Sequence, residues 1–182
     1  MFFIAILASE EVEEQVSQYK HWMKEHYGCK VAMKSPAHIT LVAPFSTDPD
    51  TIKKVEALLE NFVQELSPID IAVGGFGAFD KRVIFLEVKE NYLLNQCYKN
   101  LVHEMHRMFP ELVKEEKRPF HPHITIANRD IPLSGFKDAF AYFSSIDYKA
   151  QFNAHKITLL QLEPGKWKTK ADFLLKGNDG LK

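Results

Sequence analysis

Two hydrophobic periods take turns along this chain, and the switches between them mark its elements. Phe2 to Ala8 is a nearly unbroken apolar run, the pattern of a strand buried on both faces. From Ser9 the period becomes helical, with Val12, Val16, Tyr19, Met23 and Tyr27 recurring every three or four residues. Ser9 suits an N-cap, the glutamates after it suit the helix dipole, and Gly28 suits a stop. Lys30 to Pro36 predicts a loop, and Ala37 to Ala43 a strand ended by Pro44-Phe45. Asp48-Pro49 predicts a second helix start, followed by a stripe of Ile52, Val55, Leu59, Phe62 and Leu66. Ile69 to Phe79 alternates loosely around Gly74, Gly75 and Gly77, which predicts a strand with a bulge or a close backbone approach. Asp80-Lys81 is a turn, and Arg82 to Val88 the next strand.

The second half repeats this order. Asn91 to Phe109 predicts a helix, Pro110 to Phe120 a charged loop, Pro122 to Ala127 a strand, and Ser134 to Ile146 a short aromatic-rich helix. Tyr148 to Leu162 and Trp167 to Leu175 read as a final strand pair joined by Glu163-Pro164-Gly165-Lys166. Strand, helix, strand, helix, strand therefore occurs twice, with one extra strand at the end. The predicted fold is α+β: a bilobal, pseudo-two-fold duplicated unit with antiparallel-rich sheets lining a central cleft and helices outside. The expected organisation is a single domain over residues 1–182, built of two lobes at about 1–80 and 81–175.

The duplication has a chemical marker. His38-Ile39-Thr40-Leu41 and His123-Ile124-Thr125-Ile126 occupy equivalent strands, one per half. Side chains alternate across a strand, so each His shares a face with its Thr while the two aliphatics enter the core. Two such strands imply two imidazoles lining one polar cleft. An imidazole changes charge near neutral pH, so one can take a proton from a nucleophile while the other gives one to a leaving oxygen. The Thr40 and Thr125 hydroxyls suit the developing charge on non-bridging phosphate oxygens. That chemistry needs no metal or cofactor.

Composition narrows the partners. Lys plus Arg (23) nearly equals Asp plus Glu (24), which disfavours an extended basic surface for long nucleic acid. A small or terminal phosphate ligand stays open. The two cysteines, Cys29 and Cys97, show no paired spacing, which favours a reducing, cytoplasmic setting, and the N-terminal apolar run is too short to span a bilayer.

The paired His-x-Thr-aliphatic motifs, with Pro44-Phe45 after the first and Arg118-Pro119-Phe120-His121-Pro122 before the second, resemble the two-histidine phosphoesterase superfamily of 2′-5′ RNA ligase-like proteins and cyclic phosphodiesterases. The resemblance spans Phe2 to about Leu175. It implies metal-independent chemistry on a 2′,3′-cyclic or 2′-5′ phosphodiester of a nucleotide or RNA end. His38 and His123 would be acid and base, in an order that depends on reaction direction, with Thr40 and Thr125 as phosphate donors. Members often carry a basic residue soon after the second motif, and here Arg129 follows Asn128. Arg118 and Arg129 are candidate phosphate contacts, and Phe45 and Phe120 candidate base-stacking residues. Two other readings stand beside this one: a binding module that holds RNA ends without turnover, and a metal-dependent hydrolase built on His121 and His123.

Overall fold

A computed structural model describes residues 1–114 and 118–177. Among these, eight strands form one open antiparallel sheet in the order β6-β3-β4-β5-β2-β1-β7-β8, and four α-helices accompany it. The strands are β1 (Phe2–Leu7), β2 (His38–Phe45), β3 (Ile69–Phe79), β4 (Val83–Val88), β5 (His123–Asn128), β6 (Lys149–Ala154), β7 (Lys156–Glu163) and β8 (Lys166–Leu174). The helices are α1 (Glu10–Tyr27), α2 (Pro49–Phe62), α3 (Tyr92–Met108) and α4 (Phe136–Ser144).

The helix signals act as the sequence suggests. The Ser9 side chain accepts from Val12 N–H, Asp48 accepts from Asp50 and Thr51, and Asn91 accepts from Leu94. Each satisfies backbone donors that a helix start leaves open. Gly28 ends α1 at φ 73°, a left-handed conformation that glycine adopts without a Cβ penalty.

Two expectations are corrected. The strand expected to stop at Pro44 runs on to Phe45, because the β1–β2 register slips between Phe2↔Phe45 and Ile4↔Val42. Three steps on β2 then match two on β1, and a proline without N–H is tolerated at such an irregularity. The single strand expected over Tyr148–Leu162 is two. It breaks at His155, after which β6 pairs with β3 at one edge of the sheet while β7 pairs with β1 far across it. No Gly or Pro marks the break. What distinguishes the pieces is burial: β6 exposes alternate residues as an edge strand does, whereas Ile157, Thr158, Leu159 and Leu160 in β7 are all buried.

One face of the sheet carries the main core. Ile39, Leu41, Ile124 and Ile126 are buried there, at 0–1% exposure, with the inner stripes of the helices. Fully burying such a side chain contributes roughly 1.5–3 kcal/mol. The other face holds a much smaller apolar cluster, Phe3, Ala5 and Leu160, with Leu7 and Trp167 packed against it. That thinner packing leaves room for a cleft over β2 and β5. Cys29 and Cys97 are buried free thiols. No described helix is long and apolar enough to cross a membrane.

Candidate active site

β2 and β5 meet at the middle of the sheet through the pair Ile39↔Ile124. An antiparallel register through that pair sets His38 abreast of Thr125 and Thr40 abreast of His123. The two histidines are thus diagonal neighbours on the cleft face, a relation that puts backbones about 7–8 Å apart. All four side chains line one cavity of about 270 Å³, together with Phe3, Val31, Ala32, Ser35, Pro44, Asn128, Arg129 and Trp167.

Each imidazole is fixed in the same way. His38 Nδ1 lies 2.7 Å from the Pro36 carbonyl oxygen, and His123 Nδ1 lies 2.7 Å from that of His121. A carbonyl oxygen only accepts, so each Nδ1 carries the hydrogen and donates it. The titrating nitrogen in both rings is therefore Nε2. The repetition of this bond at i−2 in both halves is a structural counterpart of the duplicated motif.

Aromatic rings wall both histidines. Phe3 lies 4.8 Å from His38 between ring centroids, with Trp167 edge-to-face against Phe3 at 4.7 Å. On the other side Phe85 and Phe79 lie 5.0 and 5.1 Å from His123. Gly77, opposite Phe85 in the β3–β4 ladder, makes space for that ring: a Cβ there would meet it at 2.5 Å. Burial is the main reason that both imidazoles favour the neutral form. It pushes His38 down to about 4, aided by the Lys20 and His123 charges and opposed by the Pro36 carbonyl. It lowers His123 too, aided by the His121 charge and opposed by the His121 carbonyl.

The surroundings of His38 are held from α1. Lys20 is 5% exposed, and its ammonium donates to the Ser35 carbonyl at 2.8 Å. The Glu13 carboxylate accepts from the Ala37 N–H. These two contacts bracket Pro36, whose carbonyl orients His38. Across the cleft, Asp130 Oδ2 accepts from the N–H groups of Lys30 and Val31 at 2.5 and 2.9 Å, tying the loop that carries Val31, Ala32 and Ser35 to the end of β5. Arg129, just before it, adopts φ 68°, and its N–H donates to the Arg82 carbonyl.

Of the residues singled out in the sequence, His38, Thr40, His123, Thr125 and Arg129 come together here. Phe45 does not: beyond two slips in the β1–β2 register it is buried in the core and packs on its ladder partner Phe2 at 6.1 Å. Arg118 and Phe120 line a separate cavity of about 330 Å³ with His103 and His106, where Phe120 stacks on Tyr98 at 3.8 Å. His121 is exposed, its ring 6.4 Å from that of His123, and no group of three potential metal ligands occurs among the described residues. Phe3, Val31, Ala32 and Ser35 carried no signal in the sequence, because a loop folded over the sheet and the N-terminal strand bring them in; Asn128 joins them from the end of β5. Trp167 had a partial one, its alternation with lysines in β8. Lys166, Lys168 and Lys170 are not among the residues lining the cavity; Lys168 pairs with Glu163 at 2.5 Å and Lys170 with Glu56 of α2 at 3.5 Å.

Comparison with known proteins gives the family and the fold relatives of the chain. Residues 8–166 match the family described as the 2′-5′ RNA ligase superfamily. A Geobacillus kaustophilus protein provisionally named a phosphoesterase is 30% identical over 179 residues, 97% of this chain and 96% of its own length. The RNA 2′,3′-cyclic phosphodiesterase of Bacillus subtilis is 33% identical over 103 residues, covering 54% of this chain and 55% of that one. Among solved structures, TT0787 of Thermus thermophilus matches with a TM-score of 0.73 at 19% identity, over 97% of this chain and 98% of its own. E. coli LigT complexed with 3′-AMP matches with a TM-score of 0.66 at 20% identity, over 96% and 97%. At these identities the two structures establish a shared fold.

Proposed function

We propose that this chain, which belongs to the 2′-5′ RNA ligase superfamily and is an enzyme of the phosphoesterase class, acts on a 2′,3′-cyclic phosphate or 2′-5′ phosphodiester of a nucleotide or RNA end through His38 and His123. One observation carries the reading: two diagonal imidazoles, each with Nδ1–H donated to the carbonyl two residues before it, share one cavity. Both Nε2 atoms are then free to exchange protons with a ligand between them.

In hydrolysis, the neutral imidazole of one histidine takes a proton from water as its oxygen attacks phosphorus. The bond from phosphorus to a ribose oxygen breaks, and the protonated second imidazole delivers a proton to that oxygen. Ligation follows the same two transfers with a ribose hydroxyl as nucleophile. Thr40 and Thr125, each abreast of the opposite histidine, donate to the non-bridging oxygens. Arg129 at the cavity edge adds positive charge as the transition state gathers negative charge. Acid, base and anion donors all come from side chains, so the reaction proceeds without a metal.

The test is turnover of nucleoside 2′,3′-cyclic phosphates by wild type, His38→Ala and His123→Ala, each with and without a chelator. The expected result is loss of at least about 10²-fold in each variant, the scale of one general acid or base, and no effect of chelation. Unchanged turnover in both variants would overturn the histidine assignment. Tight ligand binding by wild type with no turnover on any phosphodiester would favour the binding-module reading.

A further inference from the structure

The cavity is chemically lopsided about its two histidines. On the β5 side stand Asn128 and Arg129, with the Val31–Ala32 turn tied to that strand's end through Asp130; on the His38 side stand Phe3, against the imidazole, and Trp167, against Phe3. Both histidines have aromatic backing, yet Phe79 and Phe85 of the His123 wall do not line the cavity, whereas Phe3 and Trp167 do. Trp167 is half-buried, and its single ring contact among the described residues is the edge-to-face one with Phe3 at 85°. Such a contact occupies at most one of the two faces of the indole.

We infer that Trp167, backed by Phe3, is the nucleobase platform of the site, so that a bound nucleotide lies with its base over the His38 side and its phosphate charge toward Arg129. This rests on the proposed action on nucleotides. A π-face binds any base, and the residues Trp167 packs with, Phe3, Ala5 and Leu160, are apolar. The platform therefore favours large bases over small ones by stacking area and distinguishes little else. The lysines flanking Trp167, Lys166 and Lys168, alternate to the opposite face of β8, and Lys168 is paired with Glu163, so the subsite takes one nucleoside.

The experiment compares adenosine 2′,3′-cyclic phosphate with ribose 2′,3′-cyclic phosphate, which lacks the base. Losing a base stack costs about ten-fold in affinity. Trp167→Ala should raise KM for the adenosine substrate by about ten-fold and leave the ribose substrate unchanged, while Trp167→Phe should keep most of the preference. An equal effect on both substrates, or none on either, overturns the platform. A binding measurement separates this from failure of the catalytic reading. Trp167 and Trp22 are the two tryptophans, and Trp22 is stacked on Tyr142 of α4, outside the cavity. In a Trp22→Phe variant, adenosine 3′-phosphate should quench the remaining fluorescence, and ribose phosphate should not. Should that variant fail to fold, the same quench should appear in wild type and vanish in Trp167→Phe. Equal quenching by both ligands, or none by the adenosine ligand, overturns the inference whether or not cyclic phosphates are turned over.

Discussion

His38 shows how much of a site's chemistry rests on one ring. Its hydrogen bond to Pro36 fixes which nitrogen titrates, while its burial between Phe3 and the strand β2 keeps that nitrogen unprotonated down to about pH 4. The consequence for stability has a definite sign. An unfolded chain protonates this histidine near pH 6.5, whereas the folded chain resists until about 4, so the unfolded state binds more protons between these values. Stability from His38 is complete above about pH 6.5 and falls as pH drops through that window. Denaturant midpoints measured from about pH 7.5 to about pH 4.5 should therefore fall less in His38→Gln than in wild type. A parallel fall in the two proteins would show that His38 is not held neutral. Saturating inorganic phosphate should reverse part of the loss, since an anion between the rings favours their protonated forms. At this scale the sequence was most readable. The His-x-Thr spacing identified four cavity residues, because strand alternation leaves little freedom. It misassigned no parity there, but two slips in the β1–β2 register interrupt the alternation after Thr40, and beyond them Phe45 enters the core.

Elements explain what individual residues cannot. The α1 helix serves as more than a core stripe: Lys20 and Glu13, on its turns, grip Ser35 and Ala37 on either side of the carbonyl that orients His38. A lysine at 5% exposure interrupting an apolar stripe was visible in the sequence only as one charge among many. Its role depends on a loop that periodicity cannot place. Lys20→Met keeps the apolar stem and removes the donor and the charge. Leaving the Ser35 carbonyl without its partner should destabilise the fold by about 1–3 kcal/mol. Removing a positive neighbour should also move the His38 titration upward, since the Lys20 charge is one of the influences holding it down. An imidazole titration followed by NMR reads that shift, and Lys20→Arg should leave it in place. Destabilisation without movement of the His38 midpoint would reduce Lys20 to a packing residue. The break at His155 was unreadable for a related reason. β6 and β7 are consecutive in sequence, and only their distant partners β3 and β1 separate them.

Across the whole molecule, the sheet does not follow chain order. Strand β3 sits between β4 and β6, and β7 and β8 extend the sheet beyond β1, so one side of the β2–β5 seam (β2, β1, β7, β8) is assembled from both ends of the sequence and the other (β5, β4, β3, β6) from its middle. The element order and its duplication were legible as pattern, but this interleaving depends on long-range pairing that no local period encodes. Charge is the other property that belongs to the whole chain. A formal net charge of −1 gives the chain no overall basic excess, and Lys168 and Lys170 are engaged by Glu163 and Glu56. Single-strand binding that neutralises Z phosphates weakens with salt at a slope of about 0.7Z on logarithmic axes. If the cavity and Arg129 engage only the terminal phosphate and its nearest neighbour, that slope should be about 1.4. Lengthening a 2′,3′-cyclic-phosphate-ended oligoribonucleotide from about two residues to about ten should then change affinity by no more than a few-fold. Binding isotherms for both lengths, taken between about 50 mM and about 200 mM salt, measure the two quantities together. A slope that climbs with length would reveal a phosphate track outside the cleft and make long RNA, rather than its terminus, the ligand.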